Sequence, residues 1–388
     1  MKLLSCVGGM SESNKANGGI KLANKIRVGI LFGGKSAEHE VSLQSAKSIV
    51  EAIDREKYEV VMIAVDKEGQ WHLTDASKFL LNADDPKLIK LNKVSDNLAV
   101  APGKRSEQLI SLTSHGSTVP VDVIFPVIHG PFGEDGTIQG LMKLANLPFV
   151  GPGVLGSAVS MDKDVAKRLL RDAGIPIARF LVFDRSSFNK IDFNEAKNQL
   201  GLPLFVKPAN LGSSVGINKV HDREQFEDAV NDAFRYDNKI VIEEFIEGRE
   251  IECSVLGNDD PIASLPGEIL PQDDFYSYRA KYIDEDGAIL EVPAKLPEDI
   301  VKKVQDYAIK TFKVLCCEGM ARVDLFLKEN GEIVINEINT IPGFTKISMY
   351  PKLWGASGIS YPELIHRLIQ LAIERFNREE KLETSVDI

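Results

Sequence analysis

Gly319-Met-Ala-Arg-Val-Asp-Leu-Phe-Leu-Lys-Glu-Asn-Gly-Glu-Ile-Val-Ile-Asn-Glu-Ile-Asn339 is the stretch whose reading decides the fold. Two runs of alternating apolar residues flank Asn330-Gly331, a dipeptide suited to a tight turn, so the spacing predicts a two-residue β-hairpin. With Glu329 facing Glu332, the register puts Asp324 opposite Glu337 and Arg322 opposite Asn339. Side chains alternate along a strand, so these four share one face. Val323, Leu325, Leu327, Val334 and Ile338 point the other way, into a core. Facing carboxylates repel, and something must offset that. Arg322, a shared proton or a divalent cation would each do so. Magnesium commonly takes one or two carboxylates and completes its shell with phosphate oxygens and water, and Asp324, Glu337 and Asn339 offer oxygens at suitable stations. A solvated polar face with an ordinary Arg322–Asp324 pair is the alternative on the hairpin alone.

Outward from the hairpin, the chain holds residues able to grip phosphate. Lys207 closes a strand just before Pro208, and Gly212-Ser-Ser-Val-Gly216 follows. A small hydroxyl-bearing loop beside a lysine can fold over a triphosphate, although the same loop also reads as a plain hairpin tip. Lys163, just ahead of a helix, is a second candidate. Glu243–Ile246 ends a strand at a domain junction, where adenine and ribose can be met. Thr340-Ile-Pro-Gly343-Phe-Thr is punctuated by Gly and Pro and can turn backbone donors toward a reacting group.

Two motif matches are set aside. Gly29-Ile-Leu-Phe-Gly-Gly34-Lys35-Ser36 satisfies the P-loop pattern, but Gly29 falls inside a strand and only Gly33-Gly34 is loop-like. Gly151-Pro-Gly153-Val-Leu-Gly156 satisfies a dinucleotide fingerprint. It comes after a complete α/β region rather than opening one, and reads as a linker feeding a helix.

The rest of the 388 residues bounds the class. A hydrophobic content of 44%, charged content of 27% and net charge of -11 describe a soluble globular chain of two or three domains. They argue against a nucleic-acid or anionic-membrane surface. Four cysteines without zinc or CxxC spacing fit a reducing cytoplasm. Residues 1–25 are polar and predicted to be a disordered leader. Leu3-Leu4-Ser5-Cys6 resembles a lipidation box, yet too few apolar residues precede it to make a signal segment, and Met10 is a possible start.

Residues 26–152 read as an α/β domain with a largely parallel sheet. Strands are expected at Ile26–Phe32, Tyr58–Val65, Val121–Ile128 and Leu147–Val150, with helices from Glu40 and around Ile138–Ala145. Asp75–Ser117 carries no clear pattern. Residues 153–246 form a small central unit and 247–388 a C-terminal one. Strands are expected there near Glu250–Leu256 and Ala263–Ile269, then a helix from Pro297, the hairpin and a final amphipathic helix.

Taken in order, Glu38-His-Glu-Val-Ser42, His129-Gly130 with Gly133-Glu-Asp-Gly-Thr137, Met161-Asp-Lys163, Val206-Lys-Pro208 and Gly212–Gly216 make a recognisable series. It continues through Glu243–Ile246, Tyr276-Ser-Tyr-Arg-Ala-Lys-Tyr282, Arg322-Val-Asp324, Asn336–Asn339 and Pro342–Thr345. The series resembles the D-alanine–D-alanine ligases, a family of the ATP-grasp fold, from Arg27 to about Phe376. The resemblance implies ATP held between the last two domains and two magnesium (or manganese) ions on Asp324, Glu337 and Asn339. It implies phosphate contacts from Lys163, Lys207, Lys281, Ser213 and Ser214. The nucleoside would meet Glu243, Glu250, Asn336 and the backbone at Glu244 and Ile246. Glu40, supported by His129, is expected to bind the first substrate's ammonium, with Ser213 and Tyr282 linked to Glu40. Ser348 and Met349 would hold the second substrate's carboxylate, and Arg322 and the Gly343 N–H the tetrahedral intermediate. Tyr278, Lys281 and Tyr282 imply an amine nucleophile. D-Lactate- or D-serine-using ligases and other ATP-grasp carboxylate–amine ligases are the alternatives. The resemblance also implies a bacterial cytoplasmic homodimer whose small-molecule partners are ATP and D-alanine, working in peptidoglycan synthesis.

Overall fold

The computed structural model describes residues 25–83, 85, 88–92, 96–103, 107–113, 116–271 and 288–383. The leader before Lys25 and the expectations for Tyr278, Lys281 and Tyr282 lie outside these residues.

The first apolar run forms β1 (Ile26–Gly33), α1 (His39–Ala52) crosses over, and β2 (Tyr58–Val65) pairs with β1 in parallel. The stretch without a pattern extends this sheet. It contributes β6 (Asp96–Val100) and β7 (Leu109–Ser111), flanked by β3 (Trp71–Thr74) before it and β8 (Thr118–Val119) after it, and holds a separate two-stranded pair, β4 (Leu80–Leu81) and β5 (Lys90–Leu91). β9 (Val123–Pro126) returns to the other side of β1, giving the order β8-β7-β6-β3-β2-β1-β9. Only β2, β1 and β9 run parallel, so the sheet is mixed rather than largely parallel. The added strands are short and half-exposed, and lack the continuous apolar run of a strand buried on both faces. The strand expected at Leu147–Val150 reduces to one bridge, Ile124 to Phe149.

Three helices follow: α2 (Thr137–Leu144), α3 (Val154–Met161) and α4 (Lys163–Asp172). A Cβ on Gly156 would stand 2.4 Å from the carbonyl oxygen of Cys316, so this glycine serves close packing of α3 and not a dinucleotide. Gly29 lies inside β1, as the rejection of a P-loop requires.

The central unit is an antiparallel sheet ordered β10-β13-β11-β12. It is built from β10 (Phe180–Asp184), α5 (Phe193–Leu200), β11 (Leu204–Pro208), β12 (Asn218–Val220), α6 (Arg223–Tyr236) and β13 (Lys239–Glu244). Asp162, Asp192 and Asp222 cap α4, α5 and α6 by accepting from the N–H three residues on. Each cap contributes about 1 kcal/mol.

The C-terminal part comprises β14 (Arg249–Gly257), β15 (Ile262–Ala263), β16 (Gly267–Pro271), β17 (Ala288–Glu291), α7 (Glu298–Val314), β18 (Gly319–Leu327), β19 (Ile333–Asn339), α8 (Met349–Ala356) and α9 (Tyr361–Glu379). Its antiparallel sheet runs β17-β16-β14-β18-β19, with β15 beside β14. The single strand expected over Ala263–Ile269 divides into β15 and β16 around Pro266, which has no N–H for a ladder.

The hairpin departs from its expected register twice. Lys328 N–H donates to Glu332 O at 2.9 Å and Gly331 N–H to Lys328 O at 2.9 Å, so the loop holds three residues, with Gly331 at φ +78°. Leu327 therefore faces Ile333 and Leu325 faces Ile335, one residue off the expectation. A bulge opposite Asp324/Leu325 then absorbs Asn336 and restores Asp324↔Glu337 and Arg322↔Asn339. Between turn and bulge the faces are exchanged. Ile333 and Ile335 take the main core side, and Val334 packs instead with Ala178, Ile246 and Phe326.

One core joins the two ends of the chain. Residues of β1, β2, β9 and α1 pack with Phe344, Tyr350, Trp354 and the apolar face of α9. Phe344 meets Phe125 edge-on at 5.6 Å. Side chains this deeply buried contribute roughly 1.5–3 kcal/mol each. The loop before α8 is thereby fixed to the first sheet, although its chain neighbours belong to the last.

Candidate active site

The three sheets meet at one cleft, lined by Glu38 and His129 from the first unit, Lys163 from α4, Ser213 from the central unit, and Arg322 and Glu337 from the C-terminal one. The loop Thr340–Gly343 forms its floor.

Helix α1 starts at His39, which makes Glu38 its N-cap residue. Glu38 is only 6% exposed, and its Oε1 accepts a short hydrogen bond from Ser213 Oγ. Glu40 points elsewhere: it accepts from Lys67 Nζ at 2.6 Å at the surface. Two residues along a helix turn a side chain by about 200°, so only one of this pair can face the cleft. The expected link of Ser213 to Glu40 is therefore corrected to Glu38. Ser213 and Ser214 both adopt positive φ, 52° and 60°, an uncommon backbone for residues with a side chain.

His129 is buried and both its ring nitrogens are engaged. Nδ1–H donates to Ile341 O at 2.9 Å, which leaves Nε2 to accept from Ser45 Oγ at 3.0 Å. Burial depresses its pKa to about 4, so the imidazole is neutral. Ser45 Oγ also accepts from Phe344 N–H at 3.2 Å, and Tyr361 Oη–H donates to Phe344 O at 2.6 Å. His129 thus ties α1 to the loop that carries Gly343; its ring nitrogens are not directed at a ligand.

Glu134 lines the same wall. It accepts from Gly130 N–H at 3.0 Å and from the Ile341 N–H. Burial, reinforced by the charge of Glu38, pushes its pKa up to about 8. The folded protein therefore keeps a proton here that the unfolded chain releases near pH 4.5, and stability falls as pH rises toward 8. His129 acts in the opposite sense, but only below about pH 6.5. Glu134→Gln should flatten the decline between pH 6.5 and 8, a change of no more than about 2 kcal/mol. Melting temperatures across that range check this; parallel curves for the two proteins would count against a proton held at Glu134.

On the C-terminal sheet, Glu252, Asp324 and Glu337 stand in one row across β14, β18 and β19. Arg322 is clamped among them. Nε and Nη2 each donate to Asp324 at 2.7 Å, and Nε lies 2.9 Å from Glu252 Oε2. Asn339 Nδ2 donates to Asp324 at 2.9 Å. Lys163 Nζ stands 3.7 Å from Glu337 and donates to Leu211 O at 2.7 Å. Among the described residues no three His, Cys, Asp or Glu side chains already converge as a metal site. The carboxylates of Asp324 and Glu337, with the side-chain oxygen of Asn339, nevertheless suit a hard divalent cation that takes its remaining ligands from phosphate.

Behind the row, Glu243 is buried between two ammonium groups: Lys207 Nζ donates to Oε2 at 2.6 Å, and Lys167 Nζ lies 2.9 Å from Oε1. Burial opposes its charge, but the two lysines prevail and hold the carboxyl at about 2. Glu244 pairs with Arg179 at 2.6 Å. Ile246 is buried after β13, and Glu250 sits on β14 opposite Phe326. Asn336 is the bulged residue, and its carbonyl is 3.4 Å from Lys167 Nζ. Ser348 stands at the N-cap position of α8 without a side-chain cap bond, its Oγ accepting instead from Thr345 N–H at 3.0 Å in the preceding loop, and Met349 opens that helix.

Comparison with known proteins accords with this arrangement. A family model described as D-ala D-ala ligase N-terminus matches residues 27–152, and one described as D-ala D-ala ligase C-terminus matches residues 169–370. A D-alanine–D-alanine ligase of Shouchella clausii is 62% identical over 362 residues, 93% of this chain and 98% of the relative. The chain belongs to the D-alanine–D-alanine ligase family. Two solved structures agree in fold. The D-alanine–D-alanine ligase of Coxiella burnetii superposes with a TM-score of 0.81 at 40% identity, covering 92% of this chain and 97% of that one. A D-Ala:D-Ser ligase of Enterococcus faecalis gives 0.79 at 36%, covering 90% and 100%.

In this member of the ligase family, sequence reasoning missed Glu38, Glu134, Glu252 and Lys167. Glu38 left a trace, two residues before the one chosen, and Glu134 stood inside the quoted Gly133–Thr137 segment without a role. The others gain their partners through contacts remote in sequence.

Proposed function

We infer that this enzyme joins two D-alanine molecules to D-alanyl-D-alanine at the expense of ATP, for the peptidoglycan precursor. Membership of the ligase family supports the activity, and the meeting of Glu38–Ser213, Lys163–Glu337, Arg322–Asp324 and the Gly343 loop in one cleft carries the assignment of the site. The domains are read as 26–152 for substrate binding, and 153–246 and 247–388 as the two jaws about the nucleotide.

Glu38 binds the ammonium of the first D-alanine, and Ser213 steadies it. Lys163 and Lys207, with the Ser213–Ser214 loop, hold the phosphates, and Glu243, Glu250 and the strand end at Glu244–Ile246 face the nucleoside. Asp324, Glu337 and Asn339 would hold magnesium, two ions in this reading, which would screen charge on the transferring phosphoryl group. The substrate carboxylate takes the γ-phosphoryl group and ADP leaves. The amine of the second D-alanine, whose carboxylate sits at the Ser348–Met349 helix start, attacks the acyl carbon. The C–N bond forms, Arg322 and the Gly343 N–H stabilise the oxyanion, and collapse expels phosphate with loss of the amine's extra proton. His129 and Glu134 position the Gly343 loop.

Purified protein with ATP, magnesium and D-alanine should release phosphate and dipeptide one for one. D-Lactate, D-serine and L-alanine as second substrate should each fall at least about tenfold behind in kcat/KM. Phosphate release without dipeptide would sink the reading, and parity with D-serine would move it to the D-Ala:D-Ser class.

We read the protein as a cytoplasmic homodimer. Among the described residues no helix is long and apolar enough to cross a membrane, and Cys253, Cys316 and Cys317 are free thiols.

A further inference from the structure

Helix α4 presents two lysines one turn apart, Lys163 and Lys167, toward the cleft between the central and C-terminal sheets. The nucleotide reading employs Lys163 and leaves Lys167 without a task. Lys167 is 2% exposed and cannot reach solvent or an open ligand site. Its ammonium lies 2.9 Å from Glu243 Oε1 and 3.4 Å from the carbonyl of Asn336, the residue preceding Glu337. On the other oxygen of the same carboxylate sits Lys207, whose side chain is 11% exposed against 3% for that of Lys167.

A buried carboxylate with two ammonium partners is over-supplied by one. Removing the only cation from such a group leaves an uncompensated buried charge, which is strongly unfavourable. If Glu243 had Lys207 alone, that lysine could turn toward a phosphate only by stranding Glu243. With Lys167 in place, Lys207 can leave and the charge stays compensated. We propose that Lys167 is a positioning residue, the resident counter-ion of Glu243 that releases the Lys207 ammonium to the phosphates of ATP. The inference rests on the reading of Lys207 as a phosphate-holding residue. Its contact with Asn336 O also ties this ion pair to the strand bearing Glu337.

The test is steady-state kinetics on the full chain with ATP, magnesium and D-alanine, alongside calorimetric titration of ATP–magnesium. Lys167→Met should raise the KM for ATP at least tenfold, because Glu243 then retains Lys207. The kcat and the KM for D-alanine should stay within threefold. Adding Glu243→Gln to that variant frees Lys207 again, so its KM for ATP should return to within threefold of Glu243→Gln alone. A KM for ATP within twofold of the parent in Lys167→Met, or no recovery in the double variant, overturns the inference. If Lys167→Met does not accumulate as folded protein, the double variant, lacking both buried charges, decides by itself. ATP binding within threefold of Glu243→Gln supports the inference, and binding ten times weaker refutes it. Lys207→Met separates the two layers. If it leaves the KM for ATP unchanged, the phosphate reading falls and takes the inference with it. If it raises the KM while Lys167→Met does not, only the inference falls.

Discussion

Glu337→Ala should lose ADP release with D-alanine by a factor on the order of 1,000 or more, because the phosphoryl group then lacks half of its carboxylate-held cation site. The same variant should melt no lower than the parent in the absence of nucleotide. Asp324 and Glu337 face each other across β18 and β19, and directly opposed like charges weaken a sheet. Arg322 already satisfies Asp324 through two hydrogen bonds of 2.7 Å, so deleting Glu337 leaves Asp324 paired and gives up the looser 3.7 Å contact with Lys163. Lys163 keeps its bond to Leu211 O. Loss of turnover with an unchanged or raised Tm is therefore the expected pair of results. Turnover within tenfold of the parent would remove Glu337 from the metal assignment, and a steep drop in Tm would show that the carboxylate is structural.

Glu38→Gln and Glu40→Gln should differ by about two orders of magnitude. Glu38 is buried, and in the proposed reading it pairs with the ammonium of the first D-alanine. Breaking a buried ion pair of that kind costs roughly 3–5 kcal/mol, which appears as a loss on the order of 100-fold or more in kcat/KM for D-alanine. Glu40 holds only the exposed Lys67, a contact worth about 0–1 kcal/mol, and its substitution should stay within a few-fold of the parent. Kinetics in both D-alanine sites decide it. A large loss in Glu40→Gln with a silent Glu38→Gln would reinstate the residue that sequence reasoning favoured.

That reversal marks the limit of what the chain discloses before it is folded. The pairing of Asp324 with Glu337 matched the expectation because two offsets cancel: the turn holds three residues where two were expected, and the bulge at Asn336 takes up the difference. The helix opening near Glu38–Glu40 was also legible, but its first residue was not. A shift of two positions on a helix exchanges cleft for solvent. Residues Asp75–Ser117 hid the edge strands because edge positions alternate weakly and carry polar side chains at both faces. Glu252 and Lys167 were invisible for another reason. Each draws its importance from a partner brought close by folding, such as Lys167 and Glu243, and nothing local distinguishes them from solvated surface charges. The family series supplied site assignments that periodicity could not, and at a separation of two residues the expected Ser213–Glu40 link gave way to Ser213–Glu38.

The bulge at Asn336 has a further consequence for how this hairpin tolerates change. Its outer part, between the turn and the bulge, runs one step out of phase with its inner part. The two offsets behave like a parity pair: either alone would turn Glu337 away from Asp324, and together they cancel. The tip is thereby geared separately from the reacting end. Variation in Glu329-Asn330-Gly331 can be taken up at Asn336 without reaching the carboxylate row. The slack is spent where a backbone carbonyl meets Lys167, so the part of the hairpin that absorbs error is also the part that touches the buried charge cluster.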